Sequence, residues 1–324
     1  MKILKASLFY LPFIWLFLAC EYIPGKTNLS AAKEKIQINE DILPVSLEDG
    51  TESATDEIDV ENDEKGISEP KLINEDLFFY RDSLGRKTWR KKIVDSLRKE
   101  YDKLPKYIYF TFDDGPLPGS RIVDSIARFK NIKISAFLVG RHAAMSKKLM
   151  NYYQDYKDNP LVECYNHSYS HALNKFKQFY KQPETAYEDF VKNHEDLALD
   201  YKITRLPGRN TWAFEDVRII DVPNSAATAD LLFENDFKTF GWDWEWKIDQ
   251  ETGIADQSVE ELFQKIKNLM DSKDSLYPNN VVLLTHDNMF VTERGKRQLE
   301  KLIDRIQAET DYQFEHMSNY PIRY

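Results

Sequence analysis

Apolar runs bounded by turn residues alternate with stretches of helical spacing through the last two thirds of the chain. The run YIYFTF at 107–112 predicts a buried strand; the turn Asp113-Asp114-Gly115-Pro116 follows, then a helical segment carrying Ile122, Val123 and Ile126. Further strands are expected at 134–139, 161–165, 203–206, 237–242 and 280–285, with a last one at 312–315. Helices are expected at 143–157, 224–235, 258–271 and 292–309. Another is predicted where Tyr187, Phe190, Val191, His194 and Leu197 recur at i, i+3, i+4, i+7 and i+10. Ser258 and Glu261 stand at capping-box spacing. Upstream, Leu77, Phe78, Trp89, Ile93, Val94, Leu97 and Tyr101 mark 71–104 as a helical lead-in to a domain at 105–324. Such strand–helix alternation predicts an α/β fold with a parallel sheet, open or closed into a barrel.

The first twenty residues follow a different logic. Lys2 and Lys5 precede an apolar run at 6–19 that ends at Cys20, the layout of a signal peptide. Fourteen residues fall short of the roughly 20 that a bilayer span needs. The sequence FLAC at 17–20 resembles a bacterial lipobox, with Phe17 where that pattern usually has Leu, so 1–20 reads as a lipoprotein-type signal peptide with Cys20 as the lipidation site. The expected location is then the bacterial cell envelope, on a lipid anchor, facing the periplasm or the cell surface. Lipidation leaves Cys164 as the sole free thiol, and the fold must rest on its core.

Residues 21–70 are poor in aromatics, and nine carboxylates fall between Glu48 and Glu64 without a Lys or Arg. Burial cannot offset the ordering entropy of such a stretch, which predicts a flexible acidic tether. It lacks the spaced ligands of a calcium loop. The net charge of −10 is concentrated there: 1–70 hold 14 acidic and 6 basic residues, 71–324 hold 40 and 38. A domain without basic excess has no electrostatic footprint for nucleic acid. With 42% hydrophobic residues and two cysteines, wholesale disorder and a cysteine-stapled scaffold are excluded.

The polar residues at predicted strand ends form a set. Asp113 and Asp114 follow the first strand, His167 and His171 the third, Arg205 the fourth, Trp242 and Asp243 the fifth, and His286 the sixth. The carboxyl ends of parallel strands open on one face, so these residues converge. Adjacent carboxylates suit divided labour, one binding a metal while the other takes a proton. His167 and His171, four apart, share one face if a helix begins there, and with a carboxylate they make a catalytic zinc ligand set. Cys164 also offers a Cys-x-x-His spacing with His167, although a buried strand residue is its expected fate. His286 suits a proton donor, and Arg205 could orient a carboxylate. His142, His194 and His316 join no cluster and are expected to be structural. Trp212, Trp242, Trp244 and Trp246 could stack on sugars or fill the core.

TFDDGP at 111–116, NHSYSH at 166–171, RLPG at 205–208, GWDWEW at 241–246 and LTH at 284–286 resemble, in order, the five motifs of the polysaccharide deacetylase family. This is the NodB-homology group of family 4 carbohydrate esterases. The resemblance implies a distorted, incomplete β/α barrel of about seven strands and hydrolysis of acetyl groups from an acetylated polysaccharide or oligosaccharide; a monomer is the expected state. It further implies Asp113 as general base, Arg205 holding it, and His286 as general acid. Asp114, His167 and His171 would bind one divalent ion, zinc foremost, with cobalt or nickel also fitting. Asp243 would polarise His286, with Glu245 as the alternative partner. Trp244 or Trp246 would line the acetyl pocket, and the Gly208 N–H would contact the oxyanion. The family's third motif usually has an aromatic residue where this chain has Gly208, which removes one groove wall. A carbohydrate-binding protein without turnover, and a hydrolase of another amide or ester, remain competing readings.

Overall fold

The computed structural model describes residues 91–247 and 254–321, all within one unit spanning Gly66–Tyr324. The signal-peptide segment, Cys20, the acidic tether and the first part of the lead-in lie outside the described residues. Among these residues no helix is long and apolar enough to cross a membrane.

The run read as the first strand becomes β1 (Tyr107–Gly115), and all but its first residue and Asp114 are buried. Its alternation divides the interior. Ile108, Phe110 and Phe112 enter a core shared with the surrounding helices, among them α2 (Ser120–Lys130), α8 (Val259–Ser272) and α9 (Glu293–Glu309). Tyr109 faces the other way, into a second cluster with Phe137, Tyr165, Trp212, Phe240 and Tyr320. Each such side chain contributes roughly 1.5–3 kcal/mol by leaving water. Thr111 and Asp113 continue the inward face toward the strand ends.

On one side β1 pairs in parallel with β9 (Asn280–His286) along its length, which sets Asp113 opposite His286. On the other side its start pairs with β10 (Gln313–Phe314) and its end with β2 (Ile134–Leu138). The sheet continues through β3 (Val162–Asn166), β4 (Ile203–Thr204) and β7 (Lys238–Thr239), then to the antiparallel β5 (Trp212–Phe214) and β6 (Val217–Ile219). At the opposite edge β8 (Trp244–Glu245) joins β9. Among the described residues the sheet has ten strands in the order β6-β5-β7-β4-β3-β2-β1-β9-β8, with β10 beside β1. It is a curled, open α/β sheet, the expected distorted and incomplete barrel.

Three elements depart from the sequence reading. The 212–219 hairpin was not foreseen. The strand expected at 237–242 ends at Thr239, and the chain then crosses to the other side of the sheet, where Trp244 pairs with Leu283. The helix expected at 143–157 is likewise broken, into α3 (Gly140–Ala144) and α4 (Lys147–Lys157), because Ser146 caps the second piece through the Leu149 N–H.

Candidate metal centre and cleft

Strand alternation alone would turn Asp113 and Asp114 to opposite faces. A register shift between Asp113 and Gly115, with Asp114 at φ 74°, swings the second carboxylate back, so both line one cleft. Asp113 is buried and accepts from Nη1 of Arg205 at 2.8 Å. Arg205, fully buried, also donates to Thr111 Oγ1 at 2.7 Å and to the Phe240 and Gly241 carbonyls at 3.2 and 2.8 Å, with its guanidinium 4.2 Å from the Phe137 ring centroid. The ion pair therefore sits in a fixed fork of donors.

His167 and His171 do meet, without the helix their spacing suggested. Ser168 has φ 63°, and His171–Asn174 form a short turn with all four residues at positive φ. Asp114 Oδ1 lies 3.1 Å from His171 Nε2 and 3.6 Å from His167 Nε2. The ligand atoms of this trio lie within 4.8 Å of one another. Each imidazole is held from behind: His167 Nδ1–H donates to the Arg205 carbonyl and His171 Nδ1–H to Asn174 Oδ1, both at 2.9 Å. These bonds leave the Nε2 lone pairs directed inward. Asp114 Oδ1 is buried without a hydrogen-bond partner among the described residues. Facing lone pairs around an unpartnered buried carboxylate oxygen fit a divalent cation.

The electrostatics separate the two histidines. Burial pushes His167 down to about 4, keeping it neutral as a ligand must be. Burial disfavours charge on both Asp114 and His171, but their close approach outweighs it, holding the carboxyl below and the imidazole above its usual range, so a bound cation would take the place of a proton on His171. His142, expected to be structural, donates from Nδ1 to the Asp114 carbonyl at 2.6 Å and so braces the ligand's backbone. Cys164 is not in the trio; it packs against the first core, and burial pushes its thiol up to about 12.

The cleft encloses about 740 Å³, and Asp113, Asp114, His167, His171, Gly208 and His286 all line it. The opposite wall departs from expectation. His286 Nδ1 is buried with no hydrogen-bond partner among the described residues. Asp243 does not supply one: its oxygens accept the Leu276 and Val282 N–H groups at 2.6 and 2.9 Å, which fastens the crossing to β9. Glu245 lines the cleft in its place. Register explains the exchange, because Glu245 pairs with Leu284, a cleft residue two positions before His286, whereas Trp244 pairs with core residue Leu283.

Neither tryptophan expected in the acetyl pocket lines the cleft. Trp244 packs against the first core under Lys265, and Trp246 is fully buried with Nε1 donating to the Gln257 carbonyl at 3.2 Å. Trp242 lines the cleft instead.

Asn174, Phe176, Asp221 and Asn288 also line the cleft and were missed; they sit in a bend and in turns or helices of no more than four residues, whose approach no periodicity announces. Asp287, missed too, lies fully buried behind the cleft, hydrogen-bonded to Ser120 and Tyr156, and burial pushes its carboxyl up to about 7. A carboxylate directly after an apolar strand was the available signal.

The profile of the family described as polysaccharide deacetylase matches residues 100–206. A comparison with curated proteins gives no match. Among solved structures, the catalytic domain of peptidoglycan N-acetylglucosamine deacetylase from Eubacterium rectale is similar at 20% identity and TM-score 0.49, covering 67% of this chain and 91% of that one. A CE4 esterase from Streptococcus mutans is similar at 16% identity and TM-score 0.50, covering 69% and 90%. The chain thus carries a deacetylase-like sequence segment on a fold shared with the Streptococcus mutans esterase, together with a trio able to hold one metal ion.

Proposed function

We propose that the protein is a metal-dependent hydrolase that removes acetyl groups from a cell-envelope or extracellular polysaccharide, chiefly from amino-sugar nitrogens. One observation carries this reading: the Asp114–His167–His171 trio shares a cleft with the Asp113–Arg205 pair and with His286. A divalent ion in the trio, zinc foremost with cobalt or nickel as alternatives, supplies Lewis-acid polarisation of the acetyl carbonyl and a more acidic water.

The chain's own residues do the rest. Asp113, held by Arg205, takes the proton of the attacking water. The Gly208 backbone N–H steadies the oxyanion. His286 protonates the departing nitrogen, without which an amide cannot release its amine. Glu245, which lines the cleft from the strand beside His286, would bias that histidine by its charge, without a hydrogen bond to its Nδ1. Cys20 would hold the enzyme on a lipid anchor in the bacterial envelope, with 21–70 as tether.

The test is acetate release by the full-length protein, with zinc or cobalt added, from peptidoglycan, chitin oligomers, acetylated xylan and a small aryl acetate. Release that chelation, Asp113→Asn and His286→Ala each abolish supports the reading. Silence across the panel with one ion bound per chain refutes it and favours sugar binding without turnover.

A further inference from the structure

Gly208 stands at φ 65°, and a methyl group there would come within 3.2 Å of Cδ2 and Cε2 of Phe176. The space that a side chain at 208 would take is therefore filled by a ring from elsewhere in the chain. Phe176 opens the short helix α5 (Phe176–Phe179) directly after the His171–Asn174 turn. It is half-buried, packs against the cluster of Tyr180, Phe190 and Leu206, and still lines the cleft. Its ring meets that of His171 edge to face, at 5.6 Å and 88°, and the Arg209 guanidinium backs it at 5.8 Å from the centroid.

The delivery of this ring is costly by design. Residues 171–174 have φ of 51°, 53°, 48° and 58° without a glycine among them, a conformation L-residues disfavour and which persists where the surroundings impose it. Asn174 is the residue type that best tolerates it, and its side chain also holds His171. The turn thus sets Phe176 at a fixed place relative to a candidate metal ligand. Around it the cleft presents Asn174, Asp221, Glu245 and Asn288 as hydrogen-bonding groups. Trp242 also lines the cleft, but Phe176 is the ring that meets a candidate metal ligand, and a flat apolar face among polar groups is complementary to a pyranose, which has C–H faces and a rim of hydroxyls.

Resting on the deacetylase reading, we propose that Phe176 is the specificity-determining wall on which the acetyl-bearing sugar ring stacks, selecting N-acetylated amino-sugar oligomers over small acetyl esters. It would act through substrate binding and take no part in bond breaking.

The experiment compares full-length wild type, Phe176→Leu and Phe176→Tyr, loaded with zinc, on a chitin oligomer and on a small aryl acetate. Metal content and thermal unfolding are measured in parallel. Leucine keeps the apolar bulk and removes the flat face, so kcat/KM for the oligomer should fall about tenfold, mainly through KM, the order of one aromatic contact. Metal content should not change, aryl-acetate turnover should fall much less than oligomer turnover, and tyrosine should restore the oligomer rate. Equal losses on both substrates, or no loss on the oligomer, overturn the proposal. If wild type releases no acetate, the deacetylase reading fails, and oligomer binding to wild type and Phe176→Leu decides the wall separately: weaker binding by the variant supports it, whereas equal or absent binding overturns it.

Discussion

On the β1 and β3 side of the cleft, the candidate ligands and the base are held by backbone and side-chain groups already in place. The Arg205 carbonyl holds His167, Asp113 sits in the Arg205 fork, and the bulge at Asp114 turns its carboxylate inward. On the β8 and β9 side, His286 Nδ1 has no partner among the described residues, and Asp243 fastens strands. The first side is organised before any ligand arrives. The second has its acid in place but leaves the imidazole's rear nitrogen to a water or to the substrate. A metal site needs three donors fixed in advance, whereas a proton donor can be aligned when substrate binds.

The sharpest contrast lies in the metal. Asp114→Ala and His167→Ala should each abolish binding of one zinc per chain, read by metal analysis of the purified protein, and lower acetate release by at least about 10³-fold. His286→Ala should keep its metal and still lose about 10²–10⁴-fold in kcat. A His286 variant that also loses the ion would mean that the two sides are not separate.

Asp287 tests the rear of the same wall. Its carboxyl sits near 7 when folded against 3.8 for an unperturbed group. Folded stability tied to the protonated form is therefore complete below the unfolded value and is lost as pH rises through about 7, by up to about 4 kcal/mol. Denaturant unfolding with chelator present should show that slope in wild type. Asp287→Asn should flatten it, gaining on wild type as pH rises from about 4 to 8.

The exchange of acidic roles gives a smaller effect. Asp243→Ala leaves two backbone N–H groups without their acceptor and should destabilise by about 2–3 kcal/mol, while Glu245→Gln should change the pH–rate profile and leave unfolding alone. The reverse outcome would restore Asp243 as the partner of His286. Smallest is Asn174→Leu, which removes the acceptor behind His171 and should weaken zinc affinity about 10–100-fold in a competition assay with unchanged stoichiometry.

Local rules were enough for the strands β1, β2, β3 and β9, because apolar runs closed by turn residues leave the chain few alternatives. They also put Asp113, His167, Arg205 and His286 at strand ends, since parallel strands deliver their carboxyl ends to one face. The metal trio came from residue types and order, although the stretch between its histidines is no helix, Ser168 standing at positive φ. Register decided what the motif GWDWEW could not. Once the chain crosses to β9, pairing with Leu283 and Leu284, fixed by hydrogen bonds to the Val282 and Leu284 carbonyls, decides which of Trp244 and Glu245 faces the core and which the cleft. The match between Gly208 and Phe176 is likewise tertiary, because a missing side chain announces a space but not its occupant. Composition and periodicity constrain each segment by its own burial, whereas partners distant in sequence are chosen by packing the whole chain at once.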